Sequence, residues 1–444
     1  MNHARASWGS RLGFVLASAG SAVGLGAIWK FPYVAGQNGG GAFLLVYFAC
    51  VATLGLSLLL AEMLIGRLTR RSATTAFREL GGPLWAWPGR LSVLCLYCIL
   101  SFYCVVGGWT LAYLFAVLDP AFLRQDSTAL AAHFSALTGS PVANSGHALL
   151  FLGITAAVVL AGVEKGIERM SKLLMPALFL LMLLLIARVL SLPGAMDGLR
   201  YFLAPDFSRA SADMVVQALG LAFFSLSLGC GVIVAYGSYV RPPAEGGSRL
   251  GPATLWVAAL ATLACVLAGL MVLPAVFAFG LDPEAGPGLT FITMPSILAQ
   301  MPWGQGVALA FFLLLFFAAL TSAVSILEPV VSFGMDELHW TRRRSTVVAV
   351  LAIAALAVPV ALSFGPWAGW TLAGHTLFGV LDYLASNLLM PAGGVAVAVL
   401  AGSVAWPRLR AALTDEMSAR WISVLRLLWW LAPVLIALLW WQGL

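Results

Sequence analysis

The chain has 444 residues, of which 61% are hydrophobic and only 9% are charged, whereas soluble domains are about 25% charged. Its net charge is +6 and its mean hydropathy is +0.97, which leaves too little polar surface to cover soluble domains of this total length. These values exclude most soluble enzymes, nucleic-acid-binding proteins and disulfide scaffolds. At about 20 apolar residues per span, they leave room for about ten to twelve transmembrane helices.

Eleven apolar segments follow one another along the chain, separated by short loops that hold turn-forming residues and most of the charges. None reads as a separate soluble domain, so the sequence predicts one all-α polytopic membrane domain in the lipid bilayer. The predicted spans are 11–36, 41–66, 91–118, 146–162, 172–190, 214–240, 253–280, 305–334, 346–364, 374–401 and 420–441.

The positive charges are divided unevenly between the two sides of the predicted membrane. If the N-terminus lies in the cytoplasm, the inside segments hold 19 Lys and Arg residues and the outside segments hold five. Because Lys and Arg collect in cytoplasmic loops, we expect a cytoplasmic N-terminus, and eleven spans then place the C-terminus outside.

Two of the spans have clustered glycines near their middle. The first contains Gly20, Gly24 and Gly26, and the sixth contains Gly229 and Gly231. Glycine costs roughly 1 kcal/mol against alanine inside a helix, and unwound backbone at membrane depth must line a cavity or be buried in protein. Close packing through small residues is the alternative for either cluster. Because the clusters open two successive five-span units, they indicate a substrate site between inverted repeats.

Several motifs are long enough to compare with known families. They are Trp8 to Gly13, Gly24 to Tyr33, Asn38 to Phe43, Glu62 with Gly66-Arg67, Gly166 to Arg169 with Met175-Pro176, Phe223 to Gly229, Ser238 to Arg241, and Leu320 to Ser322. Together they resemble the neurotransmitter:sodium symporter family over nearly the whole chain. The resemblance implies a leucine-transporter (LeuT) fold with a 5+5 inverted repeat, broken helices 1 and 6 and one extra helix, together with alternating access and sodium coupling.

Paired broken helices are a feature of the leucine-transporter fold itself, so the glycine clusters and the motifs are not independent signs of it. Eleven spans suit the shorter bacterial branch of the family, which implies the inner membrane of a bacterium. We expect residues 1–190 to form the first five-helix repeat, 191–213 an extracellular loop, 214–401 the second, inverted repeat, and 402–444 the eleventh helix.

The resemblance implies a sodium site, the second of the family, between helices 1 and 8. Sodium prefers hard oxygen ligands, which a helix break can supply as carbonyl groups. Hydroxyls in an apolar span can instead bond back to their own helix. The matched ligands are the carbonyls of Gly20, Val23 and Ala318 and the hydroxyls of Thr321 and Ser322.

The family's first sodium site is matched less completely. Its ligands correspond to the carbonyl of Ala22, the side chain of Ala27, the hydroxyl of Ser225 and an asparagine in helix 7. Ala27 has no side-chain oxygen, and residues 251–270 contain no Asn, Asp, Gln or Glu. We therefore expect this site to be weak or empty, and one sodium ion to be bound per transport cycle.

Chloride is not expected as a cofactor. The family's helix 6 glutamine corresponds to Leu221, and only Tyr47 and Ser225 remain of the matched anion ligands. Glu62 lies within the second span, where the resemblance gives it a structural role as acceptor for backbone N–H groups freed by the break in helix 6. A proton relay is the alternative role for this carboxylate.

The break in helix 1 exposes backbone N–H groups that can bind a carboxylate. The resemblance assigns this role to Leu25 and Gly26, assisted by the hydroxyl of Tyr103. Monoamine carriers of the family have Asp where this chain has Gly24. The pocket is uncharged and mostly apolar, which implies a neutral, hydrophobic amino acid as substrate. The matched pocket positions are Ser21, Ala22, Leu25, Gly26, Ile99, Tyr103, Phe224, Ser225, Ser227, Cys230, Ser322 and Ile326.

Charged residues near both ends of the transport pathway resemble the gates of the family. The alternative for each is a long side chain that reaches the membrane interface. The matched positions are Lys30 with Asp382 on the outside and Arg5 with Asp336 on the inside, where Trp8 would form a plug and Tyr239 a supporting hydroxyl.

Sodium-coupled symport of an amino acid is the leading hypothesis, with a proton-coupled or facilitative amino-acid carrier as the alternative. An ion channel is less favoured, because helices 7 and 9 offer almost no polar residues to line a pore. None of the five histidines forms an H-E-x-x-H motif, so neither an enzymatic activity nor a nucleic-acid partner is expected. The oligomeric state and the particular amino acid are left open.

Overall fold

The computed structural model describes residues 5–242, 245–247, 249–280 and 289–443. Within these ranges the chain is helical, and only two isolated β-bridges occur. Nine of the described helices are long and apolar enough to cross a membrane, and a tenth crossing consists of two helices bent by 61°. A further apolar segment is divided into helices of 14 and 6 residues. The predicted all-helical membrane fold is therefore confirmed, whereas the count of eleven crossings stays a prediction.

We number the helices by predicted span and mark the halves of broken helices a and b. They are α1a (Arg11–Ala22), α1b (Gly26–Gln37), α2 (Gly41–Thr69), α3 (Pro83–Ala116), α4 (Pro141–Leu160), α5 (Val163–Leu190), α6a (Ala212–Ser225), α6b (Val232–Gly237), α7 (Leu250–Ala278), α8 (Gly304–Glu337), α9 (Arg342–Leu362), α10 (Leu377–Val404) and α11 (Ala419–Gly443).

Several helices begin earlier than their hydrophobic segments. The first residue is 83 rather than 91 in α3, 141 rather than 146 in α4, and 163 rather than 172 in α5. Proline occupies the first position of α3 and α4, where its missing N–H group is harmless. The added first turns contain proline, glycine or charged residues, which is why hydropathy alone places the starts too late.

The two predicted breaks are present. The backbone of α1 leaves helical geometry at Val23, with φ −88° and ψ 69°. That of α6 is irregular from 226 to 231, where Ser227, Gly229 and Gly231 have φ of 54°, 78° and 80°. Gly229 cannot carry a side chain, since a Cβ there would lie 2.2 Å from the carbonyl oxygen of Met390.

Helices α2 and α6b are in direct backbone contact. A Cβ on Gly66 would lie 2.0 Å from the carbonyl oxygen of Val234, and one on Gly237 would lie 2.6 Å from that of Met63. Just above this contact, the buried carboxylate of Glu62 accepts the N–H of Gly229 at 2.7 Å. The break in α6 is thus fixed to α2, in agreement with the structural role expected for Glu62.

The core of the bundle places the two breaks deep inside the protein. Helices α3, α7 and α8 are the most deeply buried crossings, and α11 is the most exposed. Helix α1a packs against α7 and α8. The backbone freed at the breaks is therefore surrounded by protein, where such backbone is tolerated.

Candidate substrate and sodium site

Side chains from α3 and α8 bind the backbone at the break in α1. The N–H of Leu25 donates to the hydroxyl of Tyr103 at 3.2 Å. The hydroxyl of Ser322 donates to the carbonyl of Ser21 at 3.2 Å and, more weakly, to that of Gly20 at 3.4 Å. The structure thus brings together five of the predicted site residues.

Gly24 occupies the narrow space between these two hydroxyls. A Cβ at this position would lie 2.3 Å from Oγ of Ser322 and 3.0 Å from the hydroxyl of Tyr103. Any side chain here must displace one of them, so glycine is required for the observed packing.

The broken segments of α1 and α6 touch each other. The hydroxyl of Ser227 donates to the carbonyl of Ser21 at 2.9 Å, and the thiol of Cys230 donates to the carbonyl of Ser227 at 3.1 Å. Gly26 packs against the ring of Phe224, since a Cβ there would lie 2.0 Å from Cε1 of the ring. The two breaks therefore form one continuous region of irregular backbone.

A mostly apolar cavity of about 250 Å³ borders this region. Its size suits a small ligand, because pockets for drug-sized molecules measure about 300–1,000 Å³. Four predicted pocket residues line it, namely Leu25, Gly26, Tyr103 and Phe224. The complete lining consists of Leu25, Gly26, Lys30, Tyr33, Phe102, Tyr103, Val106, Phe224, Phe378 and Asp382.

The other predicted pocket residues are not among those that line this cavity. Six of them are buried, namely Ser21, Ala22, Ile99, Ser225, Cys230 and Ser322. The other two are partly buried: Ser227, which bonds to Ser21 as described, and Ile326.

Four lining residues were not predicted, of which Tyr33 on α1b is one. Two others, Phe102 and Phe378, pack edge to face with ring centroids 5.4 Å apart. Helical spacing would have identified most of them, because residues three or four apart share a helix face. Val106 follows Tyr103 by three residues, and Phe378 precedes the predicted gate residue Asp382 by four.

Oxygens of the predicted second sodium site lie between α1 and α8. The hydroxyl of Thr321 donates back to the carbonyls of Phe317 at 3.0 Å and Ala318 at 3.1 Å. A Cβ on Gly20 would lie 3.4 Å from Cβ of Thr321, so the two helices are in contact here. A hydroxyl that donates one hydrogen bond keeps its lone pairs, so the donor set still fits a hard cation.

The region of the first sodium site is poorer in oxygen. The hydroxyls of Ser225 and Tyr47 are 2.8 Å apart, and the Tyr47 hydroxyl also contacts the thiol of Cys265 on α7 at 3.4 Å. Ala27, which replaces the family's asparagine, is buried. Thr262, one turn before Cys265, lies beside Tyr47. Its hydroxyl is a side-chain oxygen on α7 that a search for amides and carboxylates overlooks.

The residues of the predicted inner gate form a closed network of hydrogen bonds. Nη1 of Arg5 lies 2.9 and 2.7 Å from the two carboxylate oxygens of Asp336, and Nη2 donates to Ser238 at 2.8 Å and Ser332 at 3.0 Å. The buried indole of Trp8 donates to the carbonyl of Tyr236 at 3.0 Å. The structure thus brings the predicted inner gate residues together.

A buried charge network that was not predicted lies beside this gate. The hydroxyl of Tyr239 donates to Oε1 of Glu328 at 2.6 Å, and Arg342 forms an ion pair with Oε2. Arg342 also donates to the carbonyl of Val159 at 3.0 Å. The available signal was Glu328 itself, the one carboxylate in the predicted span 305–334, since such a charge needs a partner in the membrane.

The predicted outer pair is not formed. Lys30 and Asp382 both line the cavity, but no ion pair joins them within the described part of the chain. Asp382 instead accepts a hydrogen bond from Ser386 at 3.0 Å, and Nζ of Lys30 lies 5.2 Å from the ring centroid of Phe224. The inner gate residues are thus in contact, whereas the outer pair lines the cavity without an ion pair.

Comparison with known sequences supports a transporter. The model of the family described as "Sodium:neurotransmitter symporter family" matches residues 5–127 and 141–443. An uncharacterized sodium-dependent transporter of Bacillus subtilis is 39% identical over 88% of this chain and 86% of its own length. One of Haemophilus influenzae is 31% identical over 95% and 94%. The bovine sodium- and chloride-dependent taurine transporter is 27% identical over 75% and 61%.

A solved structure has the same fold. The crystal structure of MhsT in complex with L-phenylalanine superposes with a TM-score of 0.90 and 39% sequence identity, covering 99% of this chain and 100% of MhsT. With the two breaks, the closed inner gate and this match, the resemblance seen in the sequence is confirmed. The chain belongs to the sodium:neurotransmitter symporter family, whose members are sodium-coupled membrane transporters and not enzymes.

Proposed function

We propose that this symporter carries a neutral, hydrophobic amino acid by alternating access, driven by one sodium ion per cycle. The observation that best supports this proposal is the cavity at the break in α1. The backbone of Leu25 and Gly26 stands at its base beside the Tyr103 hydroxyl, which already accepts the Leu25 N–H, while its walls are mostly apolar. Its two charged lining residues, Lys30 and Asp382, belong to the outer gate.

The substrate carboxylate binds at the base of this cavity. A helix N-terminus offers N–H donors and a favourable dipole for an anion, and α1b begins at Gly26 directly after Leu25. Gly24 brings no side chain and no charge to this point. An acidic residue there would repel the carboxylate, and this chain has glycine at that position.

The substrate side chain packs against apolar and aromatic groups. An acidic or basic side chain would find no charge to pair with among the wall residues Phe102, Phe224, Val106 and Phe378. Burying an unpaired charge is costly. The related transporter MhsT, whose structure holds L-phenylalanine, supports an amino acid of this class.

Sodium binds at the site between α1 and α8, formed by Gly20, Val23, Ala318, Thr321 and Ser322. The first site lacks the oxygens of an asparagine at Ala27 and of an amide on α7, and Ser225 already bonds to Tyr47. Chloride has no role, because Leu221 stands where the family has its helix 6 glutamine and only Tyr47 and Ser225 remain of the matched anion ligands.

Alternating access follows from the closed inner gate and the open outer cavity. Arg5, Trp8 and Asp336 close the inside, and a substrate that enters from the outside would draw Lys30 and Asp382 together over it. We place the Arg5 end in the cytoplasm of a bacterial cell and assign residues 1–190 and 214–401 to the two inverted repeats.

Uptake into proteoliposomes tests this proposal. Radiolabelled L-phenylalanine and L-leucine should accumulate when sodium is higher outside, and not when only a proton gradient is imposed. Accumulation driven by a proton gradient without sodium, or equilibration without any gradient dependence, would instead establish the proton-coupled or facilitative carrier. A thermal-shift panel of the twenty amino acids, with and without sodium, identifies the substrate.

A further inference from the structure

A second cavity lies far from the transport pathway, between the connecting helix Trp406–Thr414 and the beginning of α11. Its volume is about 810 Å³. It lies at the same end of the protein as the inner gate, because the loop after the connecting helix bonds to the last turn of α2 through Arg67 and Glu416.

The cavity has a cationic part without acidic neighbours in its lining. Arg410 and Arg426 both line it, and within the described residues neither forms an ion pair. Glu416 is the nearest buried acidic residue along the chain. It is already paired with Arg67 at 2.9 Å, and it accepts hydrogen bonds from the N–H groups at the start of α7. Two positive charges are thus left for a ligand.

An aromatic side chain holds one of these charges in place. The guanidinium of Arg426 stacks on the ring of Trp406, 4.7 Å from its centroid. Such stacking orients the planar guanidinium and leaves its edge free to donate to phosphate oxygens. Tryptophans are also typical of the level of the lipid headgroups.

The other side of the cavity is apolar and continues onto the outside of α11. Leu427 and Trp430 line it and are 59% and 57% exposed. Val434 and Leu438 extend the same exposed surface along the helix. A ligand that fits both parts has an anionic head and a long apolar tail.

We propose that this cavity binds an anionic phospholipid, with its phosphate on Arg410 and Arg426 and an acyl chain along Trp430 and Val434. Basic pockets between helices at the membrane surface bind the headgroups of such lipids. Inorganic phosphate alone would gain nothing from the apolar wall, and a zwitterionic lipid would bring its own cation against the arginines.

Titration of the purified full-length protein with lipid, followed by native mass spectrometry, tests the site. Dioleoyl-phosphatidylglycerol should bind more tightly than dioleoyl-phosphatidylcholine. The double variant Arg410→Gln/Arg426→Gln should bind phosphatidylglycerol about twenty-fivefold more weakly, from about fivefold for each arginine. The matched control Arg408→Gln/Arg420→Gln loses the same charge outside the cavity and should bind as the parent does.

Three results would overturn the proposal. They are equal loss of affinity in both double variants, equal affinity of the parent for the two lipids, and displacement of phosphatidylglycerol by millimolar inorganic phosphate. The last result would make the cavity a site for free anions.

A second measurement leaves both arginines intact. Phosphatidylglycerol brominated on its acyl chains should quench the tryptophan fluorescence of the parent protein when added at about one lipid per protein. The fraction quenched should fall in Trp430→Phe and stay unchanged in Trp421→Phe, which removes an exposed tryptophan of the same helix outside the cavity. An equal fall in both variants would contradict the placement of the lipid.

Discussion

The hydroxyl of Ser322 on α8 lies 3.2 Å from the carbonyl oxygen of Ser21 on α1. This contact joins α8, one of the most deeply buried crossings, to the backbone freed at the break in α1. A cation bound between α1 and α8 would therefore couple sodium to the helix that binds substrate.

Removal of the two hydroxyls of this site should abolish sodium-driven uptake. In Thr321→Ala/Ser322→Ala, two of about five oxygen ligands are lost, and the remaining carbonyls cannot complete the shell of a hard cation. The measurement is substrate uptake against sodium concentration in proteoliposomes. The control is Ser101→Ala/Thr155→Ala, since these two buried hydroxyls bond only along their own helices. A double variant that keeps the parent's sodium dependence would move the site elsewhere.

Replacement of Gly24 should separate charge from size at the carboxylate site. Both Gly24→Asp and Gly24→Asn must push aside Ser322 and Tyr103, so both should bind amino acids weakly. Only Asp adds a second carboxylate, and like charges at ~4 Å repel by about 4 kcal/mol at an effective dielectric constant of ~20. Substrate affinity, measured by scintillation proximity, should be much lower in the Asp variant. Equal affinities would show that the substrate carboxylate lies away from Gly24.

The sodium stoichiometry should be one ion per substrate. The hydroxyl of Thr262 on α7 is the side-chain oxygen most able to rescue the first site, so Thr262→Val tests the proposal directly. We expect a Hill coefficient for sodium close to one in both the parent and the variant, together with unchanged flux ratios. Two sodium ions per substrate in the parent, reduced to one by Thr262→Val, would demonstrate a working first site.

Loss of Arg342 should destabilise the protein strongly. Its partner Glu328 is fully buried, and an unpaired buried charge costs about 3–5 kcal/mol. Thermal unfolding of Arg342→Gln in detergent should therefore occur at a clearly lower temperature. The neighbouring Arg343→Gln is the matched control, because Arg343 is exposed and its loss should leave the unfolding temperature nearly unchanged. Equal shifts in both variants would refute a stabilising role for the buried pair.

Much of the fold could be predicted from the sequence, because the features that specify it are local. Clustered glycines marked both broken helices, and apolar runs marked the crossings. Helix starts such as that of α5 were placed too late, since polar turns at the membrane surface resemble loops in a hydropathy plot.

Contacts between distant segments were harder to predict. Arg5 and Asp336 were paired through the family resemblance alone, since 331 residues separate them. Glu328 and Arg342 were missed because their pairing depends on how α8 and α9 pack. The missing ion pair of the outer gate could not be predicted either, because Lys30 and Asp382 can be together or apart in the same sequence.

The backbone contact between Gly66 on α2 and Val234 on α6b has a mechanical consequence. With no layer of side chains between them, the two helices have nothing that can slide or change rotamer, and separating them would open a void. We therefore expect α6b, the inner half of helix 6, to move together with α2. The hydrogen bond between Glu62 and Gly229 also joins α2 to the break in helix 6. The inner half of helix 1 lacks this close backbone contact at its glycines, since Gly13 and Gly20 face side chains. Its end is held by hydrogen bonds of Arg5 and Trp8, including that of the backbone N–H of Trp8 to the carbonyl of Tyr239 at 3.2 Å. The two broken helices thus differ in freedom. The inner half of helix 1 can move once the hydrogen bonds at its end are broken, whereas the inner half of helix 6 stays with α2.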